Sequence, residues 1–164
     1  MRFVVPVLAA SVVVLACSGP VVAQKADDQI APKSVELQKQ GEGLLAAGKF
    51  EQAEDALEAS LAVDPRNRWA FVDLARVAEK QQLFGKAVRM ANKALLLEPN
   101  DPDAIAVQGE AMVELGATAR AQANLQKLQT ICAKGCAQLT QLSGAITRGP
   151  TVAANKAPPS PKSN

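Results

Sequence analysis

The chain has 164 residues, a formal charge of +2, 48% apolar residues and only 3% aromatic ones. That length gives one modest domain with tails, and a composition led by Ala, Leu and Val favours closely packed helices over a strand-rich sandwich, so the expected class is all-α. Lys and Arg are scattered among acids, which excludes the basic stripe that a nucleic-acid partner requires; the lack of histidine removes His-based triads, His metal sites and the commonest general base.

In chain order, Arg2 precedes an apolar run from Phe3 to Ala16. The run is too short for a bilayer core of about 30 Å and suits the central region of a signal peptide. Val21-Val22-Ala23, after Gly19 and Pro20, offers small residues where signal peptidase reads, so residues 1–23 are expected to be removed and the mature chain to start at Gln24. A second route competes: Val14-Leu15-Ala16-Cys17 resembles a bacterial lipobox, in which Cys17 is lipidated and becomes the first residue. The expected location is the periplasm, or the outer membrane if Cys17 carries lipid; only then is a membrane a partner. Residues 24–33 read as a polar, flexible lead-in.

From residue 34 the pattern repeats. Pro65 and Pro99 lie 34 residues apart; Ala53, Ala87 and Ala121 share that spacing, as do Leu37, Phe71 and Ile105, and Gly41, Ala75 and Gly109. Small residues recur where helices must approach closely, and large ones where a core must be filled. Within the first unit, Leu37, Gly41, Leu44 and Leu45 follow helical spacing until Gly48, and Ala53, Ala56, Leu57, Ser60 and Leu61 form a second stripe that ends at Asp64-Pro65. Each unit is therefore a helical hairpin, and because one hairpin cannot bury both stripes, neighbours must stack.

The units 34–67, 68–101 and 102–135 resemble the tetratricopeptide repeat family. The first carries Leu37, Gly41, Leu44, Gly48, Phe50, Ala53, Leu57, Leu61, Val63 and Pro65; the second carries Phe71, Leu74, Ala75, Ala78, Phe84, Ala87, Ala94, Leu95 and Pro99. The third keeps Ile105, Gly109, Met112, Gly116, Ala121 and Leu125, but has Thr118 in place of Phe and Ala133 in place of Pro. The resemblance implies a right-handed superhelical stack of about three hairpins. Leu139, Leu142, Ala145 and Ile146 fall on one face of a further helix over 136–147, expected to cap the last exposed stripe. Residues 148–164, rich in Pro, Ser and Lys, are expected to be a disordered tail.

The remaining chemistry is sparse. Cys132 and Cys136 flank the turn expected at Gly135, where their sulfurs could meet in a structural disulfide; free half-buried thiols are the alternative, and the spacing suits neither a thioredoxin-like motif nor a zinc site. No carboxylate pair stands in a context that marks it as catalytic, and the segment Gly41-Glu42-Gly43 is a packing feature, so no enzyme activity, metal or cofactor is expected.

What remains is surface. The resemblance implies a concave groove lined by the first helix of each unit: Val35, Gln38, Glu42 and Leu45, then Trp69, Val72, Arg76, Glu79 and Lys80, then Asp103, Ala106, Glu110, Val113 and Glu114. Trp69 and Arg76 are the preferred contacts, because aromatic and Arg anchors often dominate interface energies, with packing against the neighbouring unit as the alternative for Trp69. Some family members clamp an acidic C-terminal peptide with Lys, Asn and Arg; Gln38, Glu42 and Val72 depart from that pattern. The expected function is a non-catalytic scaffold of the bacterial cell envelope that binds a peptide or protein partner in the groove. The alternative is a lipid-anchored structural lipoprotein in which the repeats act as a spacer.

Overall fold

Three loops of the same construction turn the chain back on itself. In the first, Gly48 takes φ +72° while its N–H donates to the Leu45 carbonyl and the Lys49 N–H donates to the Leu44 carbonyl. This is the paired bonding of a Schellman helix end, which satisfies carbonyls left over by the last helical turn. The same two bonds recur from Gln82 and Leu83 to Glu79 and Ala78, and from Gly116 and Ala117 to Val113 and Met112. The left-handed position thus repeats every 34 residues, but the middle unit fills it with Gln82 at φ +60°.

These loops separate the helices of a computed structural model that describes residues 29–151. The helices are α1 (Pro32–Ala46), α2 (Phe50–Val63), α3 (Arg68–Lys80), α4 (Phe84–Leu97), α5 (Pro102–Glu114), α6 (Thr118–Ile131) and α7 (Ala137–Arg148). The expected signal segment, Cys17 and the tail from residue 152 onward lie outside the described residues. Among the described residues no helix is long and apolar enough to cross a membrane.

Both edges of the repeat region differ from the expected boundaries. The polar lead-in ends earlier, because Pro32 starts α1, where its fixed φ suits a first helical position and its missing N–H is no loss. Ala31 is then tied down by its N–H to Asp64 Oδ2 at 2.9 Å. At the other edge, Arg148 completes α7, and Thr151 donates its N–H to Glu114 at 2.8 Å, so the chain is held three residues past the helix.

Between hairpins, an acid, a proline and a helix cap make the turn. Asp64 accepts from the Ala31 and Arg66 N–H groups and from the Arg66 guanidinium, contacts that hold its carboxyl far below the usual carboxylate range. Asn67 caps α3 by accepting from the Ala70 N–H at 3.4 Å, and Asp101 caps α5 by accepting from the Ala104 N–H at 3.0 Å. Asn67 also donates to Ser34 and Ser60, which bond each other, so three fully buried polar side chains satisfy one another where α1, α2 and α3 meet. In the third unit the place of Asp64 and Glu98 is taken by Cys132, which ends α6; it is joined by a disulfide to Cys136, which begins α7, with Cα atoms 5.7 Å apart.

The core is a run of small clusters rather than one large one, and it carries complementary volumes from unit to unit. A Cβ on Gly41 would lie 2.5 Å from Cγ of fully buried Leu57. One repeat later the pair is Ala75 and Ala91, both fully buried and packed with Val107. The middle unit can bear a methyl group on one helix because it has lost a leucine on the other. At Gly109 the neighbour is instead Leu142 of α7, 2.6 Å from where a Cβ would stand. Through Leu142, Leu139 and Ile146, α7 packs into the cluster of Ile105, Ala106 and Leu128. It lies against both α5 and α6, as the first helix of a fourth unit would.

Candidate functional site

The odd-numbered helices lie side by side, α1 against α3, α3 against α5, and α5 against α7. A polar seam crosses all four. Gln38 Nε2 donates to Asp73 Oδ2 at 2.5 Å; Arg76 donates to Asp73 Oδ1 at 2.9 Å and to Asp103 Oδ1 at 2.6 Å; Gln138 Nε2 donates to the same Asp103 oxygen at 3.1 Å. Arg76 therefore sits between two carboxylates, one on its own helix three residues back and one on the next unit, and its bonds are the charge-assisted kind. Burial raises the Asp73 carboxyl above its ordinary value even though Gln38 and Arg76 oppose the shift.

Two clefts open on this face. The first, of about 510 Å³, lies over the N-terminal half of α3 and is lined by Val35, Gln38, Lys39, Glu42, Trp69, Val72, Asp73, Arg76 and Asp103. Trp69 is 46% exposed, and its ring carries the Arg68 guanidinium 4.1 Å from the centroid. Arg68 is itself ion-paired with buried Asp101, so the cation that stacks on the indole is anchored from behind. The second cleft, of about 280 Å³, lies over the C-terminal half of α5, between α3 and α7, and its lining includes Glu79, Lys80, Phe84, Glu110, Glu114 and Arg148. Burial pushes the Glu79 carboxyl up to about 8, with the neighbouring charges of Glu110 and Glu114 adding to the effect and Lys80 and Arg76 offsetting part of it. Glu110 is raised in the same direction, again chiefly by burial, against a hydrogen bond from Gln141.

The expected contact residues divide between these clefts. Gln38, Glu42, Trp69, Val72 and Arg76 line the first, and Lys80 and Glu110 line the second. Their availability differs from the sequence expectation in three respects. Val72 shows the groove only an edge, at 2% exposure; Gln38 and Arg76 are committed to the seam; and Ala106 and Val113 are buried. Leu45 packs in the core of the first hairpin. Sequence reasoning missed Asp73, Lys39 and Arg148. Asp73 carried a signal, three residues before Arg76 on one helix face; Arg148 carried none, because its place depends on how α7 docks.

Residues 44–111 match a family model described as tetratricopeptide repeat. The stack has the fold of tetratricopeptide repeat domains. Its solved likenesses carry the same fold. The Sgt2 tetratricopeptide repeat domain from Aspergillus fumigatus matches over 82% of this chain and 90% of that one, at 20% identity and a TM-score of 0.66. The second such domain of human RPAP3, solved with the HSP70 peptide SGPTIEEVD, matches over 69% and 94% at 23% identity and a TM-score of 0.62. PcrH, solved with the chaperone-binding region of PopD, matches over 75% and 92% at 20% identity and a TM-score of 0.60. None of the curated proteins matches this chain. The family model stops at residue 111, within α5; the third hairpin, whose Thr118 and Ala133 depart from the repeat pattern, nevertheless forms α5 and α6 and stacks on the second.

Proposed function

We propose that this tetratricopeptide repeat domain is a non-catalytic interaction module of the bacterial cell envelope, holding a peptide segment of a partner protein in its concave groove. The observation that carries the reading is the first cleft: an open trough beside a half-exposed tryptophan, walled by three repeats whose mutual spacing is pinned by hydrogen bonds. Solved relatives in fold hold partner segments, as RPAP3 and PcrH do. Export is supported by the apolar run Phe3 to Ala16 with its small residues at Val21 to Ala23, and by a Cys132–Cys136 disulfide, which suits an oxidising compartment.

The test is selection of displayed peptides on the purified mature chain, followed by titration of the winners against wild type and Trp69→Ala. Loss of affinity in the variant, with unchanged helical circular dichroism, is the expected result. Selected peptides that bind both proteins equally would remove the groove from consideration. Arg76→Glu is a poor probe, because it would place a third carboxylate between Asp73 and Asp103. The lipoprotein reading rests on Val14 to Cys17. Intact mass of the mature N-terminus decides it: a start at Gln24 excludes the anchor, and an acylated Cys17 establishes it.

A further inference from the structure

The chain leaves α7 by a different route from the one it takes after α1, α3 and α5. The residue 34 positions beyond Gly116 is Pro150, which has no N–H to make the return bond that Gly48, Gln82 and Gly116 make. Gly149 turns the chain instead, one residue early and at φ +74°, and its N–H donates to the Ala145 carbonyl. Thr151 then meets the end of α5, its N–H donating to Glu114 Oε2 at 2.8 Å and its hydroxyl to the same carboxylate at 3.0 Å. Thr151 is thereby a wall of the second cleft, together with Glu79 and Lys80 of α3. The segment beyond it starts on the groove face.

In the first cleft the polar groups of the seam are already bonded to one another: Gln38 to Asp73, and Arg76 to Asp73 and Asp103. What stays open is apolar. Half-exposed Trp69 stands with Val35 in the cleft wall, and Arg68, stacked on the indole, is not part of that wall. An ordinary peptide laid here would bring N–H groups whose acceptors are largely taken. Proline brings a rigid ring, no N–H and little disorder to lose, which is why aromatic-lined grooves take proline-rich segments. This chain carries one such segment, Ala157-Pro158-Pro159-Ser160-Pro161. From Lys80 back to Trp69, α3 spans about 17 Å. Pro158 stands seven residues beyond Thr151, and a stretch of that length covers about 22 Å as polyproline II, enough to pass from the second cleft to the first.

On the reading that this groove holds a peptide, we propose that it holds one of its own: residues 152–161 run back along α3 and seat Pro158 and Pro159 against Trp69 and Val35. A partner segment must then compete with a tail that its tether supplies at an effective concentration on the order of 1 mM.

The test keeps the mature chain whole and compares it with a variant carrying Pro158→Ser, Pro159→Ser and Pro161→Ser, changes that touch none of the seven helices. Acrylamide quenching of Trp69, the one tryptophan in the sequence, should be stronger in the variant. The acetylated, amidated peptide of residues 155–162, titrated by calorimetry, should bind the variant with a Kd of about 1 mM or tighter and the wild type severalfold more weakly. Saturating peptide should return the variant's quenching to the wild-type level. Equal quenching in the two proteins, equal affinity for the peptide, or no saturable binding up to about 10 mM would each overturn the proposal. A quenching difference that grows with protein concentration would overturn it too, because the tail would then be seated in a second copy. Displayed peptides that still lose affinity with Trp69→Ala would in each of these cases leave the groove reading standing; affinities indifferent to Trp69→Ala would defeat that reading itself.

Discussion

Gln82 is the residue at which the repeat departs most plainly from its own rule. Its counterparts Gly48 and Gly116 carry the positive φ of a Schellman end without a Cβ, while Gln82 carries it with one. A left-handed non-glycine residue costs about 1–2 kcal/mol, and glycine gives back part of that through the freedom of the unfolded chain. Gln82→Gly is therefore expected to stabilise the domain by about 0.5–1 kcal/mol, read as a rise of a few degrees in Tm. A fall in Tm would mean that the glutamine side chain contributes more than its backbone strain removes. Gly41 offers the opposite case. Gly41→Ala adds helix propensity but drives a methyl group into Leu57, and a net loss of about 1–2 kcal/mol is expected. Leu57→Ala alone should cost about 2–4 kcal/mol, and the double variant, which copies the Ala75 and Ala91 pair of the next unit, should lose less than the sum. Strict additivity in chemical denaturation would show that the two positions do not share volume.

Among the elements, α7 shows both the reach and the edge of sequence reasoning. Its existence and apolar face were legible in Leu139, Leu142, Ala145 and Ile146, because helical spacing survives where the repeat consensus has faded. That it would stand as the first helix of a fourth unit and bury Ala106 and Val113 was not legible: periodicity says which face a residue occupies, and the docking of a neighbour decides whether that face stays open. The Cys132–Cys136 pair lay between readings for a similar reason, since only the distance between two helix ends distinguishes a staple from two free thiols. Closing so short a loop is worth about 2 kcal/mol on a chain-entropy account. Replacing both cysteines with serine should lower amide-exchange protection in α7 and the end of α6 well before α1 to α4 respond, with the groove over α3 intact. Uniform loss of protection across all seven helices would instead make the staple a determinant of the whole stack.

For the molecule as a whole, the period of 34 made the hairpins, their order and the concave face legible, since each depends only on local spacing and on stacking of like units. The seam was not, because bonds such as Gln38 to Asp73 and Arg76 to Asp103 join residues 35 and 27 apart and depend on which side chain reaches across. The charges set opposite limits on stability. Asp64, whose carboxyl is held below its ordinary value of 3.8, contributes stability above that pH and loses it in acid. Glu79 works in the other direction: lifted from 4.5 to about 8, it leaves the fold fully favoured below 4.5 and progressively less so as pH climbs through 8. Urea midpoints should therefore pass through a maximum between these limits, and Glu79→Gln should match wild type near pH 5 and exceed it at pH 9. Parallel curves for the two proteins across that range would refute the assignment. The seam carries one more consequence. A pile of paired rods can behave as a spring, its curvature a variable that a visitor must first set; clamped rod to rod by Gln38, Arg76 and Gln138, this one arrives already bent. A peptide held as proposed would then surrender only its own disorder on arrival, and differences among such peptides would be felt mainly in how slowly they depart.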